Sequence, residues 1–168
     1  MAPSPPADVS IEAAESDDAS AFADLWVDLA ADQRQHGSHL RPSANRGRIR
    51  EAMLQHVVTD TVLLAERDGD IVGFVTFGRE SESFEQDVTR GLVHNIYVTA
   101  GHRGEGIGSA LLAAAEETLA ERGVDSVALQ AMAANDEARE FYRRHGYDPH
   151  RIELEKAVES DSLTTDDG

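Results

Sequence analysis

The chain has 168 residues, no cysteine, and 32 Asp plus Glu against 15 Lys plus Arg, for a formal net charge of −17 at pH 7. This length suits one domain with a substantial core, and the missing cysteines exclude disulfide frameworks, thiolate metal sites and cysteine nucleophiles. The acidic field opposes nonspecific binding to nucleic acid or to anionic membranes, and no apolar run nears the roughly 20 residues of a membrane helix.

The opening residues, MAPSPPADVS, lack the basic and apolar regions of a secretory leader, so a cytoplasmic protein is expected. Apolar residues make up 40% and recur periodically, which separates this chain from an acidic disordered one. Lys156 is the only lysine. The composition reads as adaptation to a very salty cytoplasm, because a Debye length of about 3 Å at molar salt screens carboxylate repulsion while the carboxylates keep the surface hydrated.

In chain order, Pro-rich residues 1–6 are expected to be disordered, and the folded domain to span 7–158, followed by an acidic disordered tail over 159–168. DVSIEAA alternates Val9, Ile11 and Ala13 as a strand does; the next segment opens with Ser16 or Asp17 as a cap and spaces Phe22, Leu25, Trp26 and Leu29 helically. HGSHLRPSANRG interrupts, and helical spacing resumes at Ile49, Met53 and Val57. TVLLAERDGDIVGFVTF is a hairpin signal, two β-rich runs around Arg67-Asp68-Gly69-Asp70. After a polar connection, LVHNIYV reads as a buried strand.

Glycines then crowd into GHRGEGIGS, and Ile107, Leu111, Ala115 and Leu119 step along one helical face as far as Gly123, placed as the C′ residue. DSVALQAMA reads as a strand, NDEAREFYRRHG as a short helix stopped by Gly146, and HRIELEKAV as a closing strand. The order β-α-α-β-β-β-α-β-α-β, without internal repeats, implies a mixed α/β sheet.

A strand entering glycines and then a helix presents backbone N–H groups and a positive helix end to an anion. Two nucleotide loops fail on specific residues. A dinucleotide G-x-G-x-x-G begun at Gly104 meets Ser109, and begun at Gly106 it meets Leu111; a Walker loop begun at Gly101 meets Ile107-Gly108 where Lys-Ser or Lys-Thr is required. What remains is Arg103-x-x-Gly106-x-Gly108 directly after NIYV, followed by Asn135-x-x-Ala138-x-x-Phe141-Tyr142-x-x-x-Gly146-Tyr147.

With these two ordered motifs the chain resembles the GNAT superfamily of acyl-CoA-dependent N-acyltransferases, from about Val9 to Val158. The resemblance implies a mostly antiparallel twisted sheet with flanking helices and acetyl-CoA as co-substrate, with no metal. It implies that the backbone of Ile96, Tyr97 and Val98 pairs with the pantetheine arm. The N–H groups of Gly104, Glu105, Gly106, Ile107, Gly108 and Ser109 would hold the pyrophosphate, Arg103 would add charge, and Asn135 would contact the coenzyme arm. Gly104, Gly106 and Gly108 suit that task because no Cβ keeps backbone from phosphate. Tyr142 would be the general acid to the leaving thiolate.

The acceptor implied is a small-molecule amine or a protein amine, with the small amine favoured; a non-catalytic acyl-CoA sensor is the alternative class, and a homodimer is compatible with either. Some relatives carry a glutamate five residues before the asparagine motif, where this chain has Gln130, an amide that cannot take the amine's proton. His94, Glu82, Glu85, Asp87 and a water chain stay open as the route for that proton. His94 suits a histidine satisfied within the sheet better than a catalytic base. His36 and His39 have no evident third ligand and, with Leu40 and Arg41, suit the wall of an acceptor mouth better than a metal site.

Overall fold

The computed structural model describes residues 3–81 and 84–158. The acidic tail over 159–168, the first two of residues 1–6, and Glu82 lie outside the described residues.

Strand β1 (Val9–Ala13) leads through a 3-10 turn (Ser16–Asp18) into helix α1 (Ala19–Arg34). Glu15 and Asp18 open that turn by a reciprocal capping box, rather than Ser16 or Asp17. Helix α2 (Arg46–Thr59) follows, then β2 (Val62–Arg67), β3 (Asp70–Arg79), β4 (Arg90–Val98), α3 (Ile107–Glu121), β5 (Ser126–Leu129) and α4 (Asp136–Arg144). The mixed, mostly antiparallel sheet with flanking helices agrees with the expected class. Its strands run in the order β1-β2-β3-β4-β5, with β4 and β5 parallel and all other neighbours antiparallel.

Local chemistry explains most elements. Asp68 and Gly69 both take positive φ, 53° and 84°, the backbone a tight hairpin turn needs between β2 and β3. The α3 positions Ile107, Leu111, Ala115 and Leu119 are all buried and pack on Val72, Val75, Phe77 and Val93 at one sheet face. On the other face, Phe22, Trp26 and Leu29 of α1 and Met53 of α2 pack on Leu64, Phe74 and Tyr97. The sheet is therefore covered on both sides, as its apolar strands require.

Two departures bear on the site. First, β5 ends at Leu129, whereas the apolar run predicted a strand through residue 133. The cause lies in β4, whose register with β3 passes from Thr76↔Asn95 to Phe77↔Val93 and leaves His94 bulged between them. A bulge increases local twist, and the β4–β5 ladder stops at Val93↔Leu129. Second, the closing strand expected over residues 150–158 forms no ladder among the described residues. Its apolar positions Ile152, Leu154 and Val158 are exposed. A strand needs a partner edge as well as an alternating pattern, and the four residues of β5 present a short one.

Candidate active site

The chain leaves β4 at Val98, makes a 3-10 turn at Ala100–His102 and enters α3 at Ile107. Gly104 and Gly106 between them take φ of 82° and 88°, the left-handed region open chiefly to glycine. A Cβ at either position would meet nothing within 4 Å, so conformation rather than crowding demands glycine, and the space outside the turn is open. None of the backbone N–H groups from Gly104 to Ser109 has an acceptor among the described residues; the first intrahelical bond runs from Ala110 N–H to Gly106 O, 3.1 Å. Consecutive unsatisfied donors at the positive end of a fifteen-residue helix form an anion site.

The carboxylate of Glu105 would oppose an anion there, and the fold neutralises it. Arg67 of β2 donates to both its oxygens, at 2.9 and 3.1 Å, and also to Asp8 and to Nδ1 of His102. That pairing holds the Glu105 carboxyl below the usual carboxylate range and binds the loop to the sheet. Arg103, the other cation expected at this site, is engaged elsewhere. Its Nε donates to Val98 O at 2.8 Å, its Nη2 to Asp32 of α1 at 3.1 Å, and its guanidinium lies 5.3 Å from the Tyr97 ring centroid. It braces the end of β4 against α1.

Because the ladder with β5 stops at Val93, the β5-side edge of β4 has no strand partner among the described residues along Ile96, Tyr97 and Val98, where Arg103 takes up only the Val98 carbonyl, while these residues pair with Val75, Phe74 and Gly73 on the β3 side. Such an edge can add an extended ligand arm. His94 stands at the head of this opening. Its ring centroid is 5.8 Å from that of His56 at the end of α2, and His56 Nδ1 is 2.7 Å from Thr61 Oγ1. Burial holds both imidazoles below the usual histidine range, and for His56 the neighbouring His94 adds to the effect.

Helix α4 brings the second motif alongside. Asn135 caps it, its Oδ1 accepting from Ala138 N–H at 3.1 Å, and no acceptor for the Asn135 amide nitrogen lies among the described residues. Phe141 packs near Gly108, whose substitution would put a Cβ 3.5 Å from the ring. Tyr142 lies edge-on to both Phe141 and Tyr147, at 5.4 and 6.1 Å between centroids. Burial pushes its phenol up to about 12, and its hydroxyl has no hydrogen-bond partner among the described residues. Tyr147, by contrast, donates to Glu116 at 2.5 Å.

The other candidates are dispersed. Glu85 and Asp87 are exposed on the β3–β4 connection, and Gln130 is exposed just beyond β5. His39 contacts Glu155 at 2.9 Å, and no cluster of three or more metal-ligating side chains occurs among the described residues. A groove of about 610 Å³ runs beside β5, lined by Val127, Leu129, Glu116, His145 and Tyr147. Sequence reasoning missed Arg67, Asp32, His56 and His145. A lone arginine ending a strand or a histidine ending a helix carries no local signal of the loop it meets.

Comparison with known proteins bears on this arrangement. Residues 19–147 match the Acetyltransferase (GNAT) family. Over 141 residues the chain is 32% identical to a mycothiol acetyltransferase of Sanguibacter keddieii, covering 80% of this chain and 43% of that protein. Over 95 residues it is 30% identical to an aminoalkylphosphonate N-acetyltransferase of Salmonella typhimurium, covering 56% of this chain and 61% of that protein. The crystal structure of a GCN5-related N-acetyltransferase from Ralstonia eutropha superimposes with a TM-score of 0.70 at 25% identity, covering 89% of this chain and 98% of that one. The chain spans about half the length of the curated relatives it matches.

Proposed function

Because the chain belongs to the GNAT acetyltransferase family, we propose that it transfers the acetyl group of acetyl-CoA to a small primary amine. The observation that carries this reading is the run of unsatisfied N–H groups from Gly104 to Ser109, opening directly beyond the open edge of β4. An anion at the loop and an extended arm along the edge match the pyrophosphate and pantetheine of coenzyme A. Ser109 would serve through its backbone N–H, and Arg103 would shape the loop rather than grip phosphate. The Asn135 amide would face the arm.

In this mechanism the amine nitrogen attacks the thioester carbonyl, and backbone N–H groups of β4 stabilise the tetrahedral oxyanion. The carbon–sulfur bond then breaks and the thiolate leaves. Tyr142 meets it as hydrogen-bond donor and proton source. A phenol at about 12 keeps its proton throughout the working pH range and so stays a hydrogen-bond donor; it passes the proton to sulfur as the C–S bond breaks and is resupplied by the proton that the attacking nitrogen sheds as the intermediate collapses. The ammonium must first lose a proton. His94, at the head of the open edge, serves as its acceptor; partial burial lowers its pKa, which favours the neutral ring.

A small acceptor is supported by the relative named for aminoalkylphosphonate. The acidic composition supports a salt-adapted cytoplasmic enzyme. The test is thiol release from acetyl-CoA at high salt over a panel of small amines and lysine-bearing or free N-terminal peptides. Turnover with amines and none with peptides is expected. Turnover confined to peptides would make the chain a protein acetyltransferase, and coenzyme binding without acceptor-dependent release would make it a sensor.

A further inference from the structure

His145, just past the end of α4, touches both halves of the proposed site. Its Nδ1 is 2.8 Å from Phe141 O and its Nε2 is 2.9 Å from Ser109 Oγ. A carbonyl oxygen only accepts, so Nδ1 carries hydrogen and donates. In the neutral ring Nε2 is then an acceptor, and the Ser109 hydroxyl donates to it. The hydroxyl proton is therefore spent on α4, not on an anion in the loop.

The same imidazole lies 4.5 Å from the Phe141 ring centroid, and its backbone N–H donates to Tyr142 O at 3.0 Å. Helix α4 has only nine residues and no buried one, too few to hold a fixed geometry alone. Its catalytic end is fastened to the first turn of α3 by Phe141 against Gly108 and by His145 to Ser109. Gly108 and Ser109 also supply N–H groups to the anion site.

We propose that His145 is a positioning residue that couples occupancy of the pyrophosphate loop to the placement of Tyr142, through the chain Ser109 Oγ–His145–Phe141 O. This rests on the reading that the Gly104–Ser109 loop holds coenzyme A and that Tyr142 serves the leaving sulfur. Movement of the α3 first turn on docking of phosphate is carried to α4 by a ring bonded at both nitrogens. A residue that merely capped α4 would need Nδ1 alone.

The two nitrogens can be replaced separately. The amide nitrogen of His145→Gln takes the place of Nε2 and reaches Ser109, whereas that of His145→Asn takes the place of Nδ1 and reaches the Phe141 carbonyl. Acetyl-CoA binding by calorimetry, thiol-release kinetics and thermal melting are measured on the full chain for these variants, His145→Ala and Ser109→Ala. His145→Ala is expected to lower kcat about tenfold and raise the acetyl-CoA KM several-fold. His145→Gln recovers most of that loss, His145→Asn does not, and Ser109→Ala reproduces the fall in kcat.

Recovery by His145→Asn but not His145→Gln would reduce His145 to a helix cap and overturn the coupling. So would Ser109→Ala with kcat and KM both unchanged. Should His145→Ala melt below the assay temperature, the Gln and Asn contrast and Ser109→Ala decide the question. Failure of the unsubstituted protein to bind acetyl-CoA is a separate result, which removes the functional reading itself.

Discussion

At Tyr142, burial and the lack of a hydrogen-bond partner among the described residues leave a protonated phenol beside the proposed coenzyme site. Tyr142→Phe is expected to lower kcat more than tenfold while acetyl-CoA affinity stays within about twofold, because only the hydroxyl is removed; unchanged turnover takes Tyr142 out of the mechanism. His94 sets a pH test. As proton acceptor it must be neutral, so kcat/KM falls as pH drops through its lowered pKa, and His94→Gln abolishes that limb in a pH profile. The same direction has a stability consequence. Below about pH 6.5 the unfolded chain binds protons that folded His56 and His94 refuse, so their contribution is present above that pH and lost as pH falls through the folded values. The melting temperature is expected to drop between pH 7.5 and 5.5, and less so in the His56→Gln/His94→Gln double variant. Tyr142 and Asn135 entered as members of the motif that carries the family resemblance; the contacts of His56 with His94 and of His145 with Ser109 had no such signal, because each partner lies on another element.

Among the elements, α3 was the most legible, since four apolar residues at helical spacing name the buried face without reference to any neighbour. Its packing sets a measurable cost. Leu111 is fully buried against the sheet, so Leu111→Ala should destabilise by about 2–5 kcal/mol in denaturant melts. Close approach of backbone also constrains β3. A Cβ on Gly73 would lie 2.8 Å from Tyr97 O, and because that obstacle is backbone, Gly73→Ala should cost about 1–3 kcal/mol and disturb the edge of β4 proposed to bind coenzyme. The hairpin turn was readable from Asp68-Gly69. The short β5 was not, because its length depends on the bulge at His94 in a strand more than thirty residues earlier. The expected closing strand shows the same limit, its alternation intact and its partner edge too short.

Over the whole molecule, a net charge of −17 on 168 residues makes self-repulsion a global term, strongest at low ionic strength and screened within about 3 Å at molar salt. The melting temperature should therefore rise steeply from dilute buffer to molar potassium chloride; a flat response would remove the salt-adaptation reading. By itself the sequence determined what is encoded over short distances: the helical and strand periods, the hairpin turn, the glycine-rich loop between strand and helix, and the paired motifs that place the chain in its family. Only the tertiary structure decided that Arg67 neutralises Glu105 across 38 residues, that the Ser109 hydroxyl meets His145 across 36, and that Arg103 turns to Asp32 across 71. The reason is physical. Periodicity and turn chemistry are satisfied within a few residues of backbone, whereas the partner of a charged or hydroxyl side chain is fixed by strand order, register and helix docking, which no local stretch contains.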